Sequence, residues 1–393
     1  MTTATLPARE QGRSEKILSI VHFIDELKVG GAQTHLASIL SRSMLLAPYR
    51  NRVVGLFGDG PYAERYRELG VPVEVLDLRP LFARRKFVSA ARMIETVLRE
   101  HQPDVFVANL TWSRLLGLFA AWHAGVKRRI AFEHGDIYLN SWKFRIANRI
   151  AQHAADRVIV CSEALGDWNH RVNGISRQRL CVMHNAIDMD RFHRRDAKSC
   201  PEKFGLPAGS TLFAAVGTLG RGVNKRSDIL VRGLVKARSQ GADVSLVVCG
   251  DGELRGELEH LAESLHVSDR VRFLGTRQDI PEILAACDAF CHAAPFEPFG
   301  IACVEANAAA LPSIVPDSGG IREIVQHGRT GFLYPTLDHE ALSQAMRRLH
   351  DDPDLRKTMG NQARIHVEEH FSIDGYVRTL HNLYIGNEAS SQS

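Results

Sequence analysis

Short apolar runs alternate with longer amphipathic stretches along most of the chain. Residues 17–24, 52–57, 73–76, 105–108, 129–132 and 157–161 read as buried strands. Helical patterns lie between them. In Phe87–His101 the apolar positions Phe87, Ala91, Ile94, Val97 and Leu98 recur at helical spacing. The strand runs are apolar on both faces, which predicts parallel sheets covered by helices on either side. The rhythm breaks over residues 185–206, a polar, charged stretch containing Pro201, and then restarts at 212–216, 244–249, 271–274, 289–292, 312–315 and 332–334. The pattern therefore predicts two doubly wound α/β domains with a hinge near residues 186–206. Their strand C-termini should face each other across a cleft, where such sheets bind ligands.

The length of 393 residues suits two domains, and 45% hydrophobic with 24% charged residues is an ordinary globular balance. The longest near-apolar stretch, residues 115–126, contains His123 and is too short for the ~20 residues of a membrane span. Residues 1–15 hold Arg9, Glu10, Arg13 and Glu15 and no apolar run, so a disordered tail without a secretory signal is expected. A net charge of +4 does not mark a nucleic-acid binder. It is unevenly spread: residues 1–190 carry 26 basic and 19 acidic side chains, residues 191–393 carry 23 and 26. The basic excess gathers at Arg79, Arg84, Arg85 and Lys86 and at Lys127, Arg128 and Arg129. It is read either as a solvated face or as a surface for an anionic acceptor or anionic lipid.

The seven cysteines form no CxxC pair, and several sit in apolar runs, which fits buried thiols in a reducing cytoplasm. Cys287, Cys291 and His292 lack a second cluster to complete a metal site. Asp188-Met189-Asp190 spells a D-x-D but falls in the hinge. Gly250-x-Gly252 has Arg255 where a dinucleotide fingerprint needs its last glycine.

The most specific segment runs from Ala294 to Ala306. Glu297 and Glu305 are separated by seven residues, Pro298 and Gly300 mark a turn, and an apolar helix pattern begins at Ile301. The backbone N–H groups of Phe299, Gly300 and Ile301 would then point at the cleft as an anion and hydroxyl site, with Glu305 on the same helix face. An acidic residue early in a helix also favours the dipole without any ligand.

With this element the chain resembles the retaining, nucleotide-sugar-dependent glycosyltransferases of the glycogen-synthase-like group, family 4, whose E-x7-E motif Glu297 and Glu305 match. The likeness extends from about residue 17 to 384. Gly30-Gly31-Ala32-Gln33 follows the first strand, Glu133-His134-Gly135 the fifth, and residues 155–162 match the last strand of the N-domain. Residues 185–192 are similar to the family's hinge, with Ala186 in place of the usual Gly. Gly250-Asp251-Gly252, residues 272–275, Gly319-Gly320-Ile321-Arg322-Glu323 and residues 328–332 follow in order.

The resemblance implies an α/β fold of two facing Rossmann-like, doubly wound domains (GT-B) with a C-terminal helix returning toward the N-domain. Residues 16–190 would bind acceptor, 191–370 the nucleotide-sugar, and 371–393 would form the returning helix and tail. It implies Glu305 as ribose ligand, Glu297 on the donor sugar, His134 approaching that sugar, and Lys225 on the diphosphate. The family's arginine position, directly after Gly217, is Thr218, leaving Arg221 or Arg226 to supply that charge. Gly30, Gly31, Gly217 and Gly250 would let backbone approach the donor, and Gln33 stands where an acceptor-facing Glu is commoner. The expectation is a metal-independent enzyme with no cofactor, which moves a UDP-hexose or UDP-N-acetylhexosamine unit to a glycan, lipid-linked or small-molecule acceptor. It would act in the cytoplasm with peripheral contact to anionic membrane and would bind no nucleic acid. A UDP-sugar 2-epimerase of the same fold and a degenerate nucleotide-sugar-binding module are the alternatives.

Overall fold

The structure, a computed structural model, describes residues 17–46, 49–135, 142–192, 200–221 and 225–387. The tail expected over residues 1–15, part of the hinge and the end of the C-terminal tail lie outside them. Continuous apolar runs become parallel strands because both faces of each are covered. In the first half these are β1 (Leu18–Ile24), β2 (Tyr49–Gly55), β3 (Val73–Val75), β4 (Val105–Asn109), β5 (Arg128–Glu133), β6 (Arg157–Val160) and β7 (Leu180–Val182). In the second half they are β8 (Thr211–Val216), β9 (Val244–Cys249), β10 (Val271–Gly275), β11 (Ala289–Cys291), β12 (Ser313–Pro316) and β13 (Gly331–Tyr334).

The first sheet has the order β3-β2-β1-β4-β5-β6-β7 and the second β10-β9-β8-β11-β12-β13, parallel throughout. Strand β7 was not anticipated from the apolar pattern. It is half-buried along its length at the sheet edge, so it lacks the uninterrupted apolar run of the central strands. The helix expected over Phe87–His101 spans that range, buries Ala90, Ile94, Val97 and Leu98, and ends on Gln102 in a left-handed conformation. Cys161, Cys249, Cys287, Cys291 and Cys303 are buried free thiols.

The chain crosses between the two sheets twice. The second crossing delivers the last helix, Ile373–Ile385, to the first sheet, where Tyr376, Val377 and Leu380 share a core with Ile20, Val107, Ile130 and Phe132. The crossings are tied together: Ile187 N–H donates to Phe371 O at 3.1 Å and Ile373 N–H to Ile187 O at 3.2 Å. The N-terminus of the helix Glu163–Trp168 is held by the second half of the chain. The Glu323 carboxylate accepts from the N–H groups of Glu163 and Ala164, both at 2.9 Å, and lies 2.8 Å from His184 Nε2.

Under the C-terminal ends of β4 and β5 lies a buried ion pair. Arg114 and Glu133 are 0% and 1% exposed and in direct contact. Glu133 also accepts from Gly135 N–H at 3.0 Å and from Gln152 Nε2 at 3.2 Å, and Gln152 donates to Asn148 Oδ1 at 3.2 Å. Removing one partner strands a buried charge. Arg114→Met should therefore lower stability by about 3–5 kcal/mol. Adding Glu133→Leu should recover part of that loss, read as the urea midpoint of both proteins. A double variant showing the full sum of the two single losses would refute the coupling.

Candidate active site

Strand order reverses between β1 and β4 in the first sheet and between β8 and β11 in the second. Loops leaving neighbouring strands part there and open a crevice at the strand C-termini. The two crevices face one another and merge into a cleft of about 850 Å³, lined from both halves of the chain. Such a volume suits a ligand of nucleotide-sugar size.

At its centre the loop after β8 meets the loop after β11. Lys225 Nζ contacts the Glu297 carboxylate directly, and His292 Nε2 lies 3.2 Å from Glu297 Oε2. The Glu297 side chain is only 12% exposed. Burial alone would push its carboxyl up, but Lys225 and His292 outweigh that and hold it at about 2. His292 is itself pushed down by burial, with Glu297 pulling the other way, and its ring stacks along Phe290. The main chain of Glu297 is gripped from behind, where Gly320 N–H donates to Glu297 O at 2.8 Å. A Cβ on Gly320 would lie 2.1 Å from Pro298 O, so only glycine permits this approach. Ser162 Oγ, from the other half, donates to the same Pro298 O at 2.6 Å.

Past Pro298 the chain turns at Gly300, φ +105°, and enters the helix Ile301–Ala308. Phe299, Gly300 and Ile301 line the cleft, as does half-buried Glu305. Burial raises the Glu305 carboxyl to about 7, with Arg191 pulling it down. Opposite, Gly31 opens the helix Gly31–Leu46, and a Cβ there would lie 3.7 Å from Ile301 Cδ1. Two helix N-termini thus converge on one space, and their combined dipoles favour an anion between them. His134, after β5, lines the cleft, stacked on Phe132 with its edge toward His35.

Glu297, Glu305, Lys225, His134, Gly31, Gly217 and the 299–301 turn are thus brought together. Other expected residues stand elsewhere. Arg221 is turned outward into contact with Glu257 on the neighbouring helix and is not part of the cleft wall. Arg226 makes a two-pronged pair with Asp228 at 2.8 and 2.9 Å. Among the described residues Arg277, Arg191 and Arg65 are the arginines that line the cleft. Gly250 braces the Gly217 loop from outside the wall: a Cβ there would sit 1.9 Å from Gly217 O. Gly30 lies just behind Gly31, its carbonyl accepting from Thr34 N–H at 3.0 Å. Gln33 does not face the cleft. Its side chain is buried and donates to Glu26 O at 2.9 Å. Asp188 caps its own turn by accepting from Asp190 N–H at 3.1 Å. Among the described residues no group of three or more His, Cys, Asp or Glu side chains is placed to hold a metal ion. His292 and Arg277 were missed from sequence. In the sequence His292 stands out only as a neighbour of Cys287 and Cys291, and its contact with Glu297 depends on tertiary structure.

Residues 197–366 match the family model described as Glycosyl transferases group 1, and residues 29–191 match Glycosyltransferase Family 4. The N-acetyl-alpha-D-glucosaminyl L-malate synthase of Bacillus anthracis is 28% identical over 60% of this chain and 61% of its own length. The chain thus spans about three fifths of that relative. The UDP-Gal:alpha-D-GlcNAc-diphosphoundecaprenol alpha-1,3-galactosyltransferase of Escherichia coli is 26% identical over 74% of this chain and 77% of that protein. Among solved structures, Anabaena HepE in complex with UDP and glucose superposes with a TM-score of 0.82 at 22% identity, covering 94% of this chain and all of that one.

The Lys225–Glu297 pair makes a stability prediction with a definite sign. With its carboxyl held at about 2 against an ordinary 4.5, Glu297 stabilises the fold above pH 4.5, and that contribution disappears as pH falls toward 2. In Lys225→Met the carboxyl loses its main counter-charge and burial raises it. The variant's melting temperature should therefore fall furthest below wild type near pH 7, and the gap should close as pH falls. A gap independent of pH from 7 to 3 would contradict the pairing.

Proposed function

The chain belongs to the family-4 glycosyltransferases, and on that premise we propose that it transfers a sugar from a nucleotide diphosphate-sugar to an acceptor held by its first sheet, with retention of configuration and without a metal ion. The observation that carries this reading is the Glu297 carboxylate, kept ionised by Lys225 beside two converging helix N-termini. Glu305, early in the second of these helices, accepts from the ribose hydroxyls. The diphosphate lies between the helix N-termini, with Lys225 shared between it and Glu297. Glu297 orients the sugar hydroxyls and opposes positive charge growing at the anomeric carbon. His134 reaches the sugar from the opposite wall.

In the transfer step the bond from the anomeric carbon to the phosphate oxygen breaks and its electron pair leaves with the nucleoside diphosphate. The acceptor oxygen forms its bond on the same face, and its proton passes to the departing phosphate oxygen. No protein nucleophile is required. A UDP-hexose or UDP-N-acetylhexosamine is the donor favoured, in keeping with the UDP and glucose of the Anabaena neighbour and the UDP-Gal of the Escherichia coli relative. The acceptor class is glycan, lipid-linked or small-molecule.

A screen of nucleotide-sugars by mass spectrometry, read as nucleotide release and sugar transfer, tests the reading. Conversion of UDP-sugar alone into a different UDP-sugar would instead identify a 2-epimerase. Two variants should split. Glu305→Ala should weaken UDP binding by about 1.5–3 kcal/mol, the worth of a charge-assisted hydrogen bond. Glu297→Ala should leave UDP affinity nearly unchanged and lower turnover by about 10²–10³. Calorimetry and steady-state rates distinguish them, and the opposite pattern would reverse the two roles. Turnover should also persist in EDTA; loss that Mg²⁺ or Mn²⁺ restores would reject the metal-independent mechanism.

A further inference from the structure

The helix Trp142–Gln152 is built inside out. Its sequence, WKFRIANRIAQ, sets Trp142, Ile146 and Ile150 four residues apart on one face. That face is not in the core: the three side chains are 66%, 50% and 54% exposed. The buried positions are Asn148, Ala151 and Gln152, and Gln152 links Asn148 to the Arg114–Glu133 pair. A surface helix ordinarily does the reverse. The helix has three basic residues, Lys143, Arg145 and Arg149, and no acidic one. Trp122, 61% exposed, and Phe119 are further exposed apolar side chains, on the helix Leu118–His123 that packs against this one.

Contiguous exposed apolar side chains mark a surface that something covers. A protein partner or a second copy would be met by apolar residues with matched charges at the rim. Here the charged side chains of the helix itself are all basic, and aromatic and branched side chains stand among lysine and arginine. This is the composition of helices that lie in the interface of an anionic bilayer, with apolar side chains among the acyl chains and cations at the headgroups. We propose that the outer face of Trp142–Gln152, with Trp122, docks the enzyme on an anionic lipid surface.

The docking has a consequence for the cleft, which rests on the function proposed above. Trp142 follows His134 by eight residues. At ~3.4 Å per residue the membrane-facing helix therefore starts at most about 27 Å of chain from the cleft. A docked enzyme would hold the acceptor side of its cleft near the lipid surface, which favours a lipid-linked acceptor among the classes named.

The test reads lipid binding with no donor present, so it stands or falls apart from catalysis. Wild-type protein should co-sediment with vesicles of phosphatidylcholine and phosphatidylglycerol, less at high salt, and little with phosphatidylcholine alone. The double variant Ile146→Glu, Ile150→Glu should reduce co-sedimentation at least tenfold while keeping the wild-type circular dichroism spectrum. Lys143→Gln with Arg149→Gln should give an intermediate loss and guards against a folding defect in the first pair. Absence of wild-type binding at low salt would overturn the proposal, as would unchanged binding in both variants, which would shift lipid contact to another surface such as Arg84–Lys86. A dimer abolished by the double variant, with no vesicle binding, would assign the face to a second copy and also overturn it.

Discussion

A carboxylate almost cut off from water must be matched by positive charge, and the pairing of Glu297 with Lys225 imposes that condition on the centre of the molecule. The two residues lie far apart in sequence and meet because β8 and β11 are neighbours across the order reversal of the second sheet. The loop after β8 has to descend to the loop after β11, and the Gly217 carbonyl has to pass close over Gly250 on the way. His292 closes the third side, and the main chain of Glu297 is fixed by Gly320. The charged group is thus held by tertiary contacts on several sides before any ligand arrives, which is the preorganisation that electrostatic stabilisation of a transition state needs.

The same loop joins the two sheets. Pro298, one residue past Glu297, presents its carbonyl to Ser162 of the first half, and Glu323 caps the helix that Ser162 begins. These polar, directional contacts lie beside an apolar cluster that itself runs through both halves, with Cys161 and Leu165 of the first and Phe299 and Ile321 of the second. A shift of one sheet against the other would open several hydrogen bonds at once as well as disturb that shared packing. The doubled crossing at Ile187 and Ser372 adds a covalent limit, because the last helix is embedded in the core of the first sheet. Cleft geometry is therefore set by a small number of residues at its floor.

How much of this was readable beforehand follows from where each signal resides. Strands such as β4, buried at every position, announce themselves as apolar runs, whereas edge strand β7 does not. Glu297 and Glu305 were legible because their spacing and the turn between them are local. Arg221 was expected at the phosphates on the strength of its loop position, but Glu257, on the helix after β9, claims it in this structure. No pattern within the loop could reveal that partner, since it comes from another part of the fold. His292 eluded the reading for the same reason in reverse. Its functional neighbour lies five residues on, yet the contact exists only because the chain doubles back beneath the cleft.

Helix Trp142–Gln152 shows the limit of periodicity most sharply. Its spacing of apolar residues would place Trp142, Ile146 and Ile150 inward. The buried Arg114–Glu133 pair bears on the outcome, because a buried carboxylate is costly unless it is hydrogen-bonded, whereas an exposed isoleucine costs little, and Gln152 of this helix is one of the donors to Glu133. Gln152 donates to Glu133 and to Asn148 Oδ1, so these polar side chains are buried with Ala151 while Trp142, Ile146 and Ile150 stay outside. Glu133 also fixes the Gly135 N–H, directly after His134. One buried ion pair therefore touches both the cleft loop, through Gly135, and the helix that carries the exposed tryptophan and isoleucines, through Gln152.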